Sequence, residues 1–147
     1  MSSEKKVAIV TGASQGIGAG LVKAFRDRDY RVVATSRSIK QGTDRDIVAV
    51  PGDIGDAKTA KAVTDAALSR FGRVDTLVNN AGIFIGKPFT DYTEEDFNAK
   101  IATNLAGFFH MTQLAAAAML KQGSGHIVSI TTSLVDHAVA GVPTVLA

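Results

Sequence analysis

The run Thr11-Gly12-Ala13-Ser14-Gln15-Gly16-Ile17-Gly18 is the part of this sequence best suited to chemistry, and the chemistry is anion binding. Glycines permit a tight turn, let the backbone approach a pyrophosphate closely, and let a helix sit close on its strand. Free N–H groups at the helix start then face the anion, with the positive end of the helix dipole behind them. The spacing is G-x-x-x-G-x-G, not the commoner dinucleotide fingerprint G-x-G-x-x-G, so a plain strand-to-helix turn is the rival reading. A second constraint comes about twenty residues on, where such a site needs a group for the adenosine ribose, acidic for NAD or arginine for NADP. Ser36-Arg37 stand there, and no acid follows until Asp44. A guanidinium forks onto a 2′-phosphate and no carboxylate is present to repel it, which favours NADP(H) over NAD(H). The plainer alternative is a solvated loop arginine.

The elements that must position these residues alternate along the chain. Residues 7–10 are a short apolar run before the Gly12 turn, which predicts a buried strand. Ile17, Leu21, Ala24 and Phe25 recur at helical spacing and predict a helix ending near Arg28. Residues 31–35, 47–50, 74–78 and 126–131 predict four further strands. Asp56 is an N-cap for a helix stopped by Gly72, and Thr93 caps a long helix that runs to 123–125. Acids at Glu94, Glu95 and Asp96 suit the first turn of that helix. Strands apolar on both faces and alternating with helices predict a Rossmann-type α/β fold, a doubly wound parallel sheet. Phe97, Ile101, Asn104, Phe108, Met111 and Ala115 fall on one stripe of the long helix, so the Asn104 amide turns with the apolar face and must find partners there.

Composition narrows the classes. The 147 residues are 46% apolar and 20% charged with a net charge of +2, which fits one domain and gives no basic footprint for nucleic acid. There are no cysteines, which removes disulfides, thiolate chemistry and cysteine-held zinc. His110, His126 and His137 have no metal-ligand spacing. The apolar stretch 114–120 is too short to span a bilayer, and the N-terminus lacks the apolar core of a signal peptide. A cytoplasmic location is the expectation.

In the order and intervals of its motifs the sequence resembles the short-chain dehydrogenase/reductase family from about Lys5 to Thr132. The glycines at 12, 16 and 18 match its phosphate loop. Gly52-Asp53-Ile54 matches the place where the family sets an aspartate against the adenine. Asn79-Asn80-Ala81-Gly82 looks like its signature beside the cofactor, and Thr103-Asn104-Leu105-Ala106-Gly107 like the segment bearing its tetrad asparagine. The resemblance implies an NADP(H)-dependent oxidoreductase that interconverts a carbonyl and an alcohol of a small molecule, homo-oligomeric in its complete form. It implies that Ser14, Gln15 and Ile17 line the phosphate loop and that Asn80, Ala81 and Gly82 line the nicotinamide side. Asn104 then holds a water in a proton relay, against the alternative of a structural amide bridging backbone groups.

The catalytic end departs from the family pattern. Register from Ile130 places the family's serine at Thr132, with Ser133 one step on; a strand-end hydroxyl tied to local backbone is the alternative for each. The family then expects a tyrosine about thirteen residues later and a lysine four beyond it. That window holds Thr144, Val145, Leu146 and Ala147, and the only tyrosines are Tyr30 and Tyr92. The expectation is a cofactor-binding portion, incomplete on its C-terminal side and inactive alone, or else a degenerate member that binds cofactor without turnover.

Overall fold

The computed structural model describes residues 4–137. β1 (Val7–Thr11) is buried at every position, as an interior parallel strand requires. It pairs in parallel with β2 (Arg31–Ser36) on one side and β4 (Thr76–Asn79) on the other. Outside these lie β3 (Ile47–Pro51) and β5 (His126–Ser129), also parallel, giving the order β3-β2-β1-β4-β5. The chain reverses its direction of travel across the sheet between β1 and β4. A crevice opens there at the carboxyl ends of the strands, where open α/β sheets bind ligands.

Helices cover both faces. α1 (Gly16–Arg26) sets Leu21, Val22 and Phe25 against Val10, Val32 and Ala34 on one face. On the other, α2 (Ala57–Phe71) and α4 (Gly107–Gln122) enclose Val7, Ile9, Val33 and Leu77 with Val63, Phe71, Met111 and Ala115. The sheet is therefore doubly wound, as its sequence pattern predicts. Asp56 accepts a 2.9 Å bond from the Lys58 N–H at the start of α2, and Gly72 ends that helix in the left-handed region at φ 79°. Gly123 ends α4 in the same way at φ 76°.

Several predicted boundaries move. α1 stops at Arg26, and the chain turns through Asp29 at φ 60°. β4 starts at Thr76 because Asp75 turns its carboxylate onto the Val7 N–H at 2.8 Å and the Arg73 guanidinium at 2.7 Å. β5 ends at Ser129, short of Thr131. The largest correction concerns the long helix, which is three pieces: α3 (Glu94–Lys100), a π turn (Ile101–Ala106) and α4. Thr93 and Asp96 form a reciprocal capping box at its start. A π turn bonds i to i+5 and carries one extra residue, which rotates the upstream piece by about 100° relative to the downstream one. The predicted single stripe is broken accordingly: Met111 and Ala115, downstream of the turn, are fully buried, whereas Phe97, upstream of it, is 46% exposed. On the upstream side Lys100 takes the inward position instead, 1% exposed.

Candidate functional site

A cleft of about 400 Å³ lies over the carboxyl ends of β1, β2 and β4. Gly12, Ser14, Gln15, Gly16 and Ile17 form one wall of it. Ser36 and Arg37 close its far end, Asp53 and Ile54 its side, and Asn80 to Ile83 the wall opposite. Gly12 and Gly16 take φ of 65° and 53°, where a side chain is strained. A Cβ on Gly12 would stand 2.9 Å from Ala81 Cα; one on Gly18, beneath the loop, would stand 2.1 Å from the Gly12 carbonyl oxygen. The glycines thus serve close approach of backbone to backbone as well as turn geometry.

One threonine holds the two walls together. Thr11 Oγ1 accepts bonds from the Asn80 N–H at 3.0 Å and the Ala81 N–H at 2.9 Å, and donates to the Val78 carbonyl at 3.3 Å. The Asn80 amide returns the contact, donating to the carbonyls of Thr11 at 2.9 Å and Gly12 at 3.3 Å. Sequence reading picks out Asn80 but misses Thr11, whose only signal is its place between the strand and the first glycine.

The polar groups of the cleft suit an anionic nucleotide. Gln15 gives α1 no side-chain cap, so its first N–H groups are open to a ligand. The Thr35 and Ser36 hydroxyls are buried without hydrogen-bond partners among the described residues. Arg37 is exposed at the rim. Asp44, the nearest acid along the chain, is held instead by Arg26 Nε at 2.9 Å, and that hydrogen bond lowers its pKa. Asp53 spends one oxygen on the Gly55 N–H at 2.9 Å and is otherwise exposed. Ile54 is 7% exposed, its side chain part of the core beneath the cleft.

A second, more apolar cavity of about 690 Å³ shares the Asn80–Ile83 wall. Phe84, Phe108, Asn104, Thr132 and Leu134 are among its other lining residues, with the end of β5 beside them. Asn104 Oδ1 accepts from the Ile83 N–H at 2.8 Å and its Nδ2 donates to the Ile83 carbonyl at 3.0 Å. Both ends of the side-chain amide are therefore engaged on backbone. Ile83 carries no signal in the sequence, because its part is played by main chain. Thr132 lines the cavity while its Oγ1 accepts a 3.2 Å bond from the Leu134 N–H, whereas exposed Ser133 is absent from the lining. The Thr144–Ala147 window lies outside the described residues. Among the described residues no three metal-ligating side chains converge, and no helix is long and apolar enough to cross a membrane.

This geometry agrees with known relatives. The family model described as short chain dehydrogenase matches residues 6–144, and the chain belongs to that family, a family of oxidoreductases. It is 38% identical over 141 residues to carbonyl reductase [NADPH] 2 of Sus scrofa, covering 88% of this chain and 54% of that one. It is 34% identical over 137 residues to D-threitol dehydrogenase of Mycolicibacterium smegmatis, covering 86% and 52%. The solved structure of ElxO with NADP bound superposes with a TM-score of 0.84 at 29% identity, covering 97% of this chain and 60% of that one. The chain thus spans about half the length of the curated relatives it matches.

Proposed function

We propose that residues 1–147 form one dinucleotide-binding unit and that the cleft takes NADP(H) in preference to NAD(H). The observation that carries this reading is the convergence, in one cleft, of an uncapped helix start, two unpartnered buried hydroxyls and Arg37, with no carboxylate at the ribose end. Gly12 to Gly18 hold the pyrophosphate, Ser36 and Arg37 the ribose phosphate, Asp53 and Ile54 the adenine side, and Asn80 to Gly82 the nicotinamide side. When bound, the cofactor supplies a hydride donor or acceptor. The whole protein uses it to interconvert a carbonyl and an alcohol on a small molecule, works in the cytoplasm, and assembles as a homo-oligomer. The names of the carbonyl reductase and the dehydrogenase among its relatives support that reading.

In this reading the Thr132 hydroxyl, which lines the second cavity, meets the substrate carbonyl, with Ser133 the alternative donor. Asn104, anchored on the Ile83 backbone, holds a water of the proton relay beside the strip of residues 80–83 where the two cavities adjoin. A rival reading, cofactor binding without turnover, is favoured by one observation: no tyrosine occupies the 144–147 window to donate a proton to a forming alkoxide.

Fluorescence titration of the folded chain with NADPH and NADH tests the proposal. Tighter binding of NADPH by about tenfold is expected, the contribution of one charge-assisted hydrogen bond. A folded chain that binds neither nucleotide, or prefers NADH, overturns it. Turnover of a simple ketone by the NADPH-loaded chain then separates the enzyme from the binding module.

A further inference from the structure

The inward-turned Lys100 has no counterpart in the roles assigned so far. Its side chain is 1% exposed, and its Nζ finds no hydrogen-bond partner among the described residues. The acid one helical turn back, Asp96, would be its natural i,i−4 partner. That carboxylate is already taken: it pairs with the Lys87 ammonium and accepts from the Thr93 N–H at 2.9 Å. What Lys100 meets instead is aromatic. Its Nζ lies 5.6 Å from the ring centre of Phe84 and 5.6 Å from that of Tyr92. Lys87 stands over the same Tyr92 ring, also at 5.6 Å, and the Tyr92 hydroxyl donates to the Ile85 carbonyl, so that ring is fixed.

An ammonium removed from water has three donors and needs acceptors for them. Aromatic faces return only part of the lost hydration. With the Asp96 carboxylate engaged by Lys87, the Lys100 donors are left for an incoming anion. Phe84 is the movable part. It is 61% exposed, it lines the second cavity, and its ring centre is 5.6 Å from Nζ, so it is the group that stands between the lysine and that cavity's lining.

We propose that Lys100 recognises an anionic group on the substrate, so that the carbonyl compound entering the second cavity carries a carboxylate. This rests on the reading of that cavity as the substrate site beside the cofactor cleft. Phe84 is displaced on binding, the carboxylate takes up the Lys100 donors, and the carbonyl end is left at residues 80–83, where the second cavity adjoins the cofactor cleft.

Ligand-observed NMR titrations test it, with 4-oxopentanoate and the neutral ketone 2-hexanone as probes, on the chain free and saturated with NADP. The oxoacid is expected to bind at least about tenfold tighter than the ketone, the contribution of one hydrogen bond to a charged partner. Lys100→Met should erase the preference and Lys100→Arg should keep it. Phe84→Ala, which leaves the lysine in place, should tighten oxoacid binding and so tests the idea even if Lys100→Met fails to fold. Equal binding of the two probes, a preference that survives Lys100→Met, or no gain from Phe84→Ala overturns the inference. If NADP binds and the oxoacid preference is absent, this inference alone falls. If the preference holds and no nucleotide binds, the cofactor reading falls instead.

Discussion

β4 and β5 are neighbours in one sheet, each four residues long, with Leu77 opposite Ile127 and Val78 opposite Val128. Yet every residue of β4 is buried and every residue of β5 is exposed. Their local sequences, Thr-Leu-Val-Asn and His-Ile-Val-Ser, are equally suited to an interior strand. The difference lies in what covers them. β4 has β1 beside it and helices on its faces, while β5 is the sheet edge of the described residues. The glycine-lined cleft is built on the covered strands and is cross-bonded through Thr11. The cavity bearing Thr132 hangs on the uncovered one.

This contrast can be broken by measurement. In urea denaturation Leu77→Ala should cost about 2–5 kcal/mol, the usual range for a fully buried leucine. Ile127→Ala, at a residue 37% exposed, should cost about 1 kcal/mol or less. Equal losses would mean that β5 is as well covered as β4 in solution. Gly18→Ala should strain the covered side by about 1–3 kcal/mol, because its Cβ would stand 2.1 Å from a backbone oxygen. It should also weaken NADPH binding, and a variant with native melting temperature and affinity would show that the loop yields easily.

Asn104→Ala removes both amide contacts to Ile83 and should cost about 1–2 kcal/mol. Faster hydrogen exchange at the Ile83 N–H would locate that loss in the shared wall. Arg37→Ala should lower NADPH affinity about tenfold, leave NADH binding unchanged and leave stability untouched. The smallest effect concerns Asp96, whose carboxyl is held down to about 2 from an ordinary 3.8, first by the Lys87 ammonium and then by the Thr93 N–H. A lowered folded value means that its stabilisation is whole above pH 3.8 and is lost as pH falls towards 2. The ¹³C carboxyl shift of Asp96, followed over that window, should report the low value. A midpoint near 3.8 would remove the Lys87 contact in solution.

Features of the covered half that depend on neighbours in sequence are legible there. Gly12, Gly16 and Gly18 announce a turn because positive φ and close approach exclude a Cβ, and Asp56 and Gly72 announce a helix because caps act within one turn. Arg37 is placed at the cleft by counting along the chain. Features that depend on tertiary bonding are not legible. Nothing in residues 97–115 marks a π turn, so a stripe of uniform helical period runs one residue out of phase and passes over Lys100 in favour of Phe97. Ile83 serves Asn104 with backbone atoms, which carry no side-chain signature. Thr11 matters through a partner 69 residues away.

Residues 80–83 are one strip of backbone that lines both cavities, pinned at one end by Thr11 and at the other by Asn104. A ligand that stiffens this strip from the cleft side lowers the entropy that a second ligand must forgo on the other side. Linkage makes the effect mutual: whatever factor the nucleotide adds to the affinity of the second cavity, an occupant of that cavity must return to the nucleotide. Cooperative loading of the two sites would then arise from a shared strip of backbone.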